Sequence, residues 1–565
     1  MLLDARTIPD GAQLETDLCI IGGGPAGITV AHALAGRSTR ILLLESGPDE
    51  YDDPTQSLYD GESVGLPYYS LKFSRLRFFG GSANHWGGYC MPHQAADFEA
   101  RTWIPHSGWP IGEMDLAPYY PRAAELVGID TTRFDLDWWI TQDQDRPLPF
   151  DAARAVTRVV QIVRQNRRGF RFRDDLQDAS NVTLCLRANA LEIVTDDQGR
   201  TTREVRVGTL EGARFSVAAR AFVLATGGIE NARLLLASNG QNPAGVGNDH
   251  DLVGRFFGEH PRFGAATFVP TDRAIPLGFH FPHRASLSTI EGYIGLPREL
   301  QRREELVDVQ ILMQRELGPS FDDAVDAPVV RDALALPRNL TQGRLDEFGS
   351  HLANVVGDLS TFQQFTVPGA PLPIPYPELV GEVLNRNTAD RLELIPAIFG
   401  DLAGAAYAQL YGAPITTAIF RTRIDQAPNP ESRVALGTER DAFGMLRGQL
   451  DWQLTDLDRY SVRRTLEIIG AEIGRLGLGR LQITFDADGQ AWPEDMSGGY
   501  HHAGTTRMSA DPRRGVVDGN CRVHGLDNLY IAGSSVFPTV GSGNPTYVLV
   551  ALALRLADHL GTVLS

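Results

Sequence analysis

Eighteen residues near the N-terminus, "DLCIIGGGPAGITVAHAL" from Asp17 to Leu34, constrain the fold more than any other segment. Asp17 to Ile21 reads as a short buried parallel strand, and "PAGITVAHALAG" as a helix with Pro25 in its first turn. Gly22, Gly24 and Gly27 occupy the G-x-G-x-x-G positions between and across them. The first glycine permits the tight turn, the second lets backbone approach a pyrophosphate, and the third lets helix pack closely on strand. The helix start then offers free N–H groups and a positive dipole end to phosphates. "RILLLESG" supplies the next strand and ends at Glu45, 18 residues beyond Gly27. A carboxylate at that spacing can hydrogen-bond the adenosine ribose hydroxyls of a dinucleotide. The motif leaves FAD and NAD both open.

Bulk properties bound the rest of the chain. It has 565 residues and 43% hydrophobic content, enough for a large core and more than one domain. Its net charge is −18, which excludes a general nucleic-acid partner and disfavours an anionic membrane surface. No run of 18 uninterrupted apolar residues occurs, so no transmembrane helix is expected. The N-terminus lacks a basic region followed by an apolar stretch, so no secretory signal and a cytoplasmic location are expected. Cys19, Cys90, Cys185 and Cys521 are scattered and form no CxxC pair, which suits a reduced compartment.

Two further segments repeat the strand-to-small-residue pattern. "ARAFVLATGGIENARLLLAS" (Ala219 to Ser238) is a strand, a Gly-Gly break and a helix that can return to the same sheet. "DNLYIAGSSVFPT" brings Gly533, Ser534 and Ser535 to a strand end, where small residues admit a cofactor. One ligand touched by several distant strand ends suits an extended dinucleotide. With these pieces, "RFFGGSANHWGG" (Arg77 to Gly88), "DLVGRFFGEHP", "QAPNPESRVAL" and the closing segment from "GGYHHAGTTRM" onward, the chain resembles the glucose–methanol–choline (GMC) family of FAD-dependent alcohol oxidases and dehydrogenases over nearly its whole length. The "GG…HW" segment draws the likeness towards the pyranose oxidase and fructose dehydrogenase branch. So does Gly533, which stands where many members carry an Asp in "VVDAS".

The resemblance implies a Rossmann-like α/β FAD-binding domain, with an α+β substrate domain built on an antiparallel sheet with helical insertions. The FAD-binding domain is expected over 1–100, 185–260 and 497–565, and the substrate domain over 101–184 and 261–496. Gly80, Gly81, Ser82, Asn84, His85 and Trp86 are expected beside the flavin, as are Gly533, Ser534, Asn544, Pro545 and Thr546. In pyranose oxidase the histidine before this tryptophan is bonded to the flavin, and His85 falls at that position. Related dehydrogenases hold the segment against unlinked FAD. Non-covalent FAD is the expectation, with a covalent link through His85 as its alternative.

Oxidising an alcohol removes a hydride from carbon, which the flavin accepts, and a proton from oxygen, which a neutral imidazole can take. The family pattern places His501 as that base and Asn544 as the amide that holds the substrate oxygen. His502 cannot point at the same atom as its neighbour and is read as a supporting residue. Asn544 and Pro545 should cap and open a buried helix whose N-terminus faces the flavin and stabilises its reduced anion. His501, His502 and His524 have no ligand spacing or acidic partner for a metal.

In the middle of the chain, "YSVRRTLEIIGAEIGRLG" reads as an amphipathic helix and "TTAIFRTRIDQAPNPESRVALG" as strand, Asn-Pro turn, strand. "ADRLELIPAIFGDLAGAAYAQLYG" reads as two helical stretches, and Glu316 to Glu378 as a lid or subunit contact. Trp86, Tyr500 and Phe537 lie near the motifs; packing is the ordinary role for each, and Tyr500, next to His501, is the strongest candidate to face substrate. The expected activity is oxidation of a secondary CH–OH group of a sugar, glycoside or polyol-like substrate. Its electron acceptor is oxygen, a quinone or another carrier, and a homo-oligomer is compatible. A non-sugar alcohol, or a lyase of the same fold in which FAD stays oxidised, is the alternative.

Overall fold

The computed structural model describes residues 1–163, 173–272, 275–315, 417–486, 489 and 491–565. The two helical stretches expected in residues 389–412, and the lid or subunit contact expected from Glu316 to Glu378, lie outside the described residues.

Apolar runs that end in glycine build the first of the two large sheets among the described residues. Gln13–Ile21 is its central strand, longer than the sequence pattern suggests. Ile41–Leu44 pairs parallel with it on one side and Arg214–Leu224 on the other. Val182–Leu186 extends the sheet beyond Ile41–Leu44, and Leu2–Asp4 beyond that, both parallel. Leu529–Ile531 adds parallel to the end of Arg214–Leu224. On its other half, Arg214–Leu224 pairs antiparallel with Thr202–Gly208, which pairs with Asn189–Thr195. The C-terminal ends of Gln13–Ile21, Ile41–Leu44, Arg214–Leu224 and Leu529–Ile531 therefore meet at one edge, where open parallel sheets bind ligands. Val182–Leu186 crosses the boundary expected at 184/185, so this sheet takes in residues that the sequence reading assigned to the substrate domain.

The second large sheet is antiparallel. Its order runs Gly479–Ile483, Gly264–Pro270, Ala418–Ile424, Val309–Arg315, Thr289–Gly295, Val156–Ile162 and Tyr89–Cys90. Arg433–Arg440 lies in a separate three-stranded sheet with Leu446–Asp451 and Gly61–Ser63, so the strands flanking the Asn-Pro turn do not form a hairpin. The amphipathic helix is Asp456–Arg475, opened by a capping box between Thr455 and Asp458.

The C-terminal helix, Pro545–Val563, alters one expectation. It contains no 18-residue uninterrupted apolar run, yet its length and mean hydropathy of 1.3 suffice to cross a membrane. Here it packs on the helices Pro25–Leu34 and Tyr120–Val127 and buries Tyr547, Val550, Ala551 and Leu554. An apolar helix enclosed by two others reads by composition like a membrane span, because core and lipid select the same side chains.

Candidate active site

The glycine turn and the histidine turn face one cavity. Its volume is about 520 Å³, within the range of small-molecule and cofactor sites. Gly22, Gly23, Gly24 and Glu45 line one part, and His501, His502 and Asn544 line another.

The three motif glycines act differently. At Gly22, with φ of 111°, an added Cβ would lie 2.5 Å from the Ala225 carbonyl oxygen. At Gly27 it would lie 2.0 Å from the Gly22 oxygen, so this glycine lets the helix approach the strand and does not itself line the cavity. At Gly24 it would meet nothing within 4 Å, which leaves room for a ligand. Pro25–Leu34 has no side-chain cap at Gly24, so its first amides remain for that ligand. Glu45 accepts from the Gly23 amide (2.8 Å), the Gly47 amide (2.7 Å) and the Ser46 hydroxyl (3.1 Å). Burial raises its pKa and the two amides oppose that shift.

Gly81, Ser82, His85 and Trp86 line the cavity, as do Gly533, Ser534, Pro545 and Thr546. Gly80 and Asn84 do not. The Asn84 amide instead donates to the carbonyls of Phe79 (2.9 Å) and Gly81 (3.0 Å), closing the loop behind its lining face.

The histidine turn is held by a distant segment. Gly258 and Ala503 exchange backbone hydrogen bonds, as do Arg262 and Ser497. The two stretches therefore run antiparallel, with His260 opposite His501. Their Nδ1 atoms are 2.6 Å apart, and His260 Nε2 lies 2.7 Å from the Gly541 carbonyl. Glu259, fully buried, accepts from the amides of Gly499 (2.8 Å), His260 (2.8 Å) and His501 (2.9 Å), and from the Tyr68 hydroxyl. Burial raises the Glu259 pKa, while the Tyr68 hydroxyl and these amides oppose the rise by stabilising the charged form.

His501 and His502 diverge. His502 Nε2 meets the Tyr68 hydroxyl at 2.8 Å; since that hydroxyl donates to Glu259, His502 donates to it. His501 Nε2 lies 3.2 Å from Asn544 Nδ2. Burial, together with His260, Arg262 and Arg423 nearby, holds the His501 pKa well below the ordinary value, so the ring is neutral. Burial pushes His502 down to about 3.

Asn544 departs from its expected role. It stands at the N-cap position, but its side chain makes no capping bond. Its Oδ1 accepts from Arg423 Nη1 instead. A guanidinium only donates, which fixes the amide oxygen on Arg423 and the NH₂ group on His501. Arg423 also donates to Gln310 Oε1 (2.6 Å) and the Ser542 carbonyl and lies over the Tyr293 ring. Burial lowers its pKa to about 10.

A model of the family described as GMC oxidoreductase matches residues 428–553, the stretch that carries both His501 and Asn544. A 2-methyl-1,2-propanediol dehydrogenase of Mycolicibacterium austroafricanum is 22% identical, covering 97% of this chain and 95% of its own. A C-glycoside 3-oxidase of Microbacterium trichothecenolyticum is 35% identical over 23% of this chain and 24% of its own. The crystal structure of a formate oxidase shares the fold, with a TM-score of 0.53 at 16% identity over 98% of this chain and 99% of that one. Residues 428–553 thus match the GMC oxidoreductase model, and the full-length relatives extend the likeness over the chain. The protein is an oxidoreductase acting on CH–OH groups, and the GMC likeness implies FAD as cofactor.

The cavity fits that cofactor. Arg75 lines it, and its Nε and Nη1 are buried with no acceptor among the described residues, donors suited to an anionic phosphate. Arg75 is anchored by Glu230 (2.8 Å), whose burial would raise its pKa but whose three arginine neighbours hold it down to about 2.

The sequence reading missed Tyr68, Glu259, His260, Arg75 and Arg423. "GEHP" was visible as part of the family likeness, but its role depends on a pairing across more than two hundred residues (|i−j| of 241 for His260 and His501).

Proposed function

We propose that this oxidoreductase oxidises a secondary alcohol of a sugar, glycoside or polyol-like substrate to a ketone, with His501 taking the hydroxyl proton at Nε2. The supporting observation is the convergence of His501 and Asn544 on the cavity that also holds the Gly22–Gly24 turn. Bound FAD supplies the hydride acceptor. Gly22, Gly24, Arg75 and Glu45 would hold its nucleotide part, and the loop of Gly81, Ser82, His85 and Trp86, with Gly533 and Ser534, would line the rest.

His501 is neutral in the resting site and so has a lone pair for the proton. Asn544 donates from Nδ2 and orients the substrate oxygen, and its amide is too weak a base to compete. The uncapped start of Pro545–Val563 directs a positive dipole end to the cavity and stabilises negative charge that develops there.

The sugar assignment is supported by the C-glycoside 3-oxidase likeness and by Tyr500. Tyr500 lines the cavity, is 54% exposed and stacks on Tyr69 at 4.2 Å between centroids and 13° between planes. Such a face suits the apolar side of a sugar ring. The full-length likeness to a 2-methyl-1,2-propanediol dehydrogenase supports a second reading, a small non-sugar diol.

The test is anaerobic mixing of the FAD-loaded enzyme with sugars, glycosides and small diols, followed by flavin bleaching and then reoxidation by oxygen or a quinone. His501→Ala should keep its FAD and lose flavin reduction by roughly 10²- to 10⁴-fold. Wild-type reduction in that variant would remove His501 as the base. Turnover without bleaching would establish lyase chemistry instead.

A further inference from the structure

The Gly541 carbonyl can only accept a hydrogen bond, so His260 Nε2, 2.7 Å away, carries a hydrogen. His260 is fully buried and neutral, which leaves its Nδ1 as a bare lone pair. That lone pair faces His501 Nδ1 at 2.6 Å. Two bare nitrogens at that distance would repel, so His501 Nδ1 carries the hydrogen and donates it. His501 is neutral too, and its Nε2 is consequently the atom without a proton. The Asn544 NH₂ group points at this nitrogen, as the Arg423 contact requires.

We propose that His260 is a positioning residue that fixes the tautomer of His501, so that Nε2 on the cavity side is its sole proton-accepting atom. This rests on the reading of His501 as base.

The fold rather than the side chains alone enforces the arrangement. The paired bridges Gly258–Ala503 and Arg262–Ser497 clamp the two rings from either side, and the rings meet edge to face at 4.8 Å between centroids. Glu259 ties the same two residues through their amides. When Nε2 takes the substrate proton, His501 becomes cationic while Arg262 and Arg423 stand near. The His260 lone pair is then the acceptor for the strengthened Nδ1–H bond. The proton balance is simple: it leaves the alcohol oxygen for His501 Nε2, and the Nδ1 hydrogen stays where it was.

The test uses FAD-loaded enzyme labelled with ¹⁵N-histidine, with the His501 resonances assigned by their loss in His501→Ala. In the wild type, His501 should show a protonated Nδ1 and a bare Nε2. His260→Leu removes the acceptor and should leave His501 in mixed tautomers. It should slow flavin reduction roughly 10- to 100-fold, the range set by one buried hydrogen bond left unmade, with FAD content unchanged. His260→Asn, whose Oδ1 can accept from Nδ1–H, should restore a single tautomer and most of the rate. A protonated Nε2 in the wild type would overturn the proposal, as would equal rates in the Leu and Asn variants. If the tautomer is as stated but His501→Ala still reduces flavin, the base assignment falls and the tautomer lock stands.

Discussion

Arg423 gives the sharpest test of how the site is held. Replacing it with Leu has two opposed effects on stability. It removes a buried charge whose pKa is depressed from 12.5 to about 10, a burial cost of about 3 kcal/mol. It also strands three buried acceptors, Asn544 Oδ1, Gln310 Oε1 and the Ser542 carbonyl, each at about 1–3 kcal/mol. The second effect wins, and Arg423→Leu should lose about 3 kcal/mol of unfolding free energy. The effect on chemistry is separate. With no guanidinium on its oxygen, the Asn544 amide is held only by its Nδ2 contact with the His501 lone pair and can swing away from it. A hydrogen bond to a charged group is worth about 1.5–3 kcal/mol, so the productive orientation loses roughly 10- to 150-fold in preference. Anaerobic stopped-flow measurement should show flavin reduction slowed by about that factor. Arg423→Lys, with one donor nitrogen in place of the two that Arg423 uses, should fall between. A folded, FAD-loaded Arg423→Leu that reduces flavin at the wild-type rate would refute the claim that this arginine sets the amide.

Two further outcomes are expected. His280 is buried, with Nδ1 donating to the Gly292 carbonyl (2.9 Å) and Nε2 accepting from the Leu148 amide (3.1 Å), and burial holds its pKa down to about 4. The unfolded chain binds a proton there below about pH 6.5 and the folded one does not until about 4, so this contribution is complete above 6.5 and falls by up to about 3 kcal/mol on the way to pH 4. Urea midpoints across that window should fall less steeply for His280→Gln than for the wild type, and parallel curves would exclude the effect. His85 lies exposed on the cavity wall, and FAD is expected to be unlinked: acid precipitation should leave the yellow colour in the supernatant. Colour in the pellet that vanishes in His85→Ala would establish the covalent bond.

What was legible in the sequence is what local chain geometry determines. Gly27 must be glycine because a neighbouring oxygen would lie 2.0 Å from any Cβ, and that oxygen belongs to Gly22, five residues away. Glu45 and the small residues at 533–534 are legible for a similar reason, since each sits where a strand ends at the sheet edge. His501 and Asn544 were readable through family likeness, but the use of Asn544 was not. Its position before Pro545 signals a cap, and only the tertiary arrival of Arg423 from Ala418–Ile424 redirects the side chain. Glu259 and His260 carry no local signature, because their partners come from the far end of the chain. The C-terminal helix shows the reverse failure: a run count looked too interrupted for a membrane span, while the helix's mean hydropathy passes that test and its neighbours explain why.

The clamp between Gly258–Arg262 and Ser497–Ala503 also bears on how the enzyme matures. During synthesis, His260 emerges some 241 residues before His501, and 281 before the Gly541 carbonyl that holds its Nε2–H. Both large sheets must therefore wait for their last segments with a buried carboxylate and an imidazole unpaired, a topology that folds slowly and late. A nascent or C-terminally shortened chain retains the glycine turn and His260 but has no base for His260 to orient and no far wall to its cavity. Competence for chemistry therefore waits on residues 497–544, which bring the base and the amide to a wall already carrying Glu259 and His260.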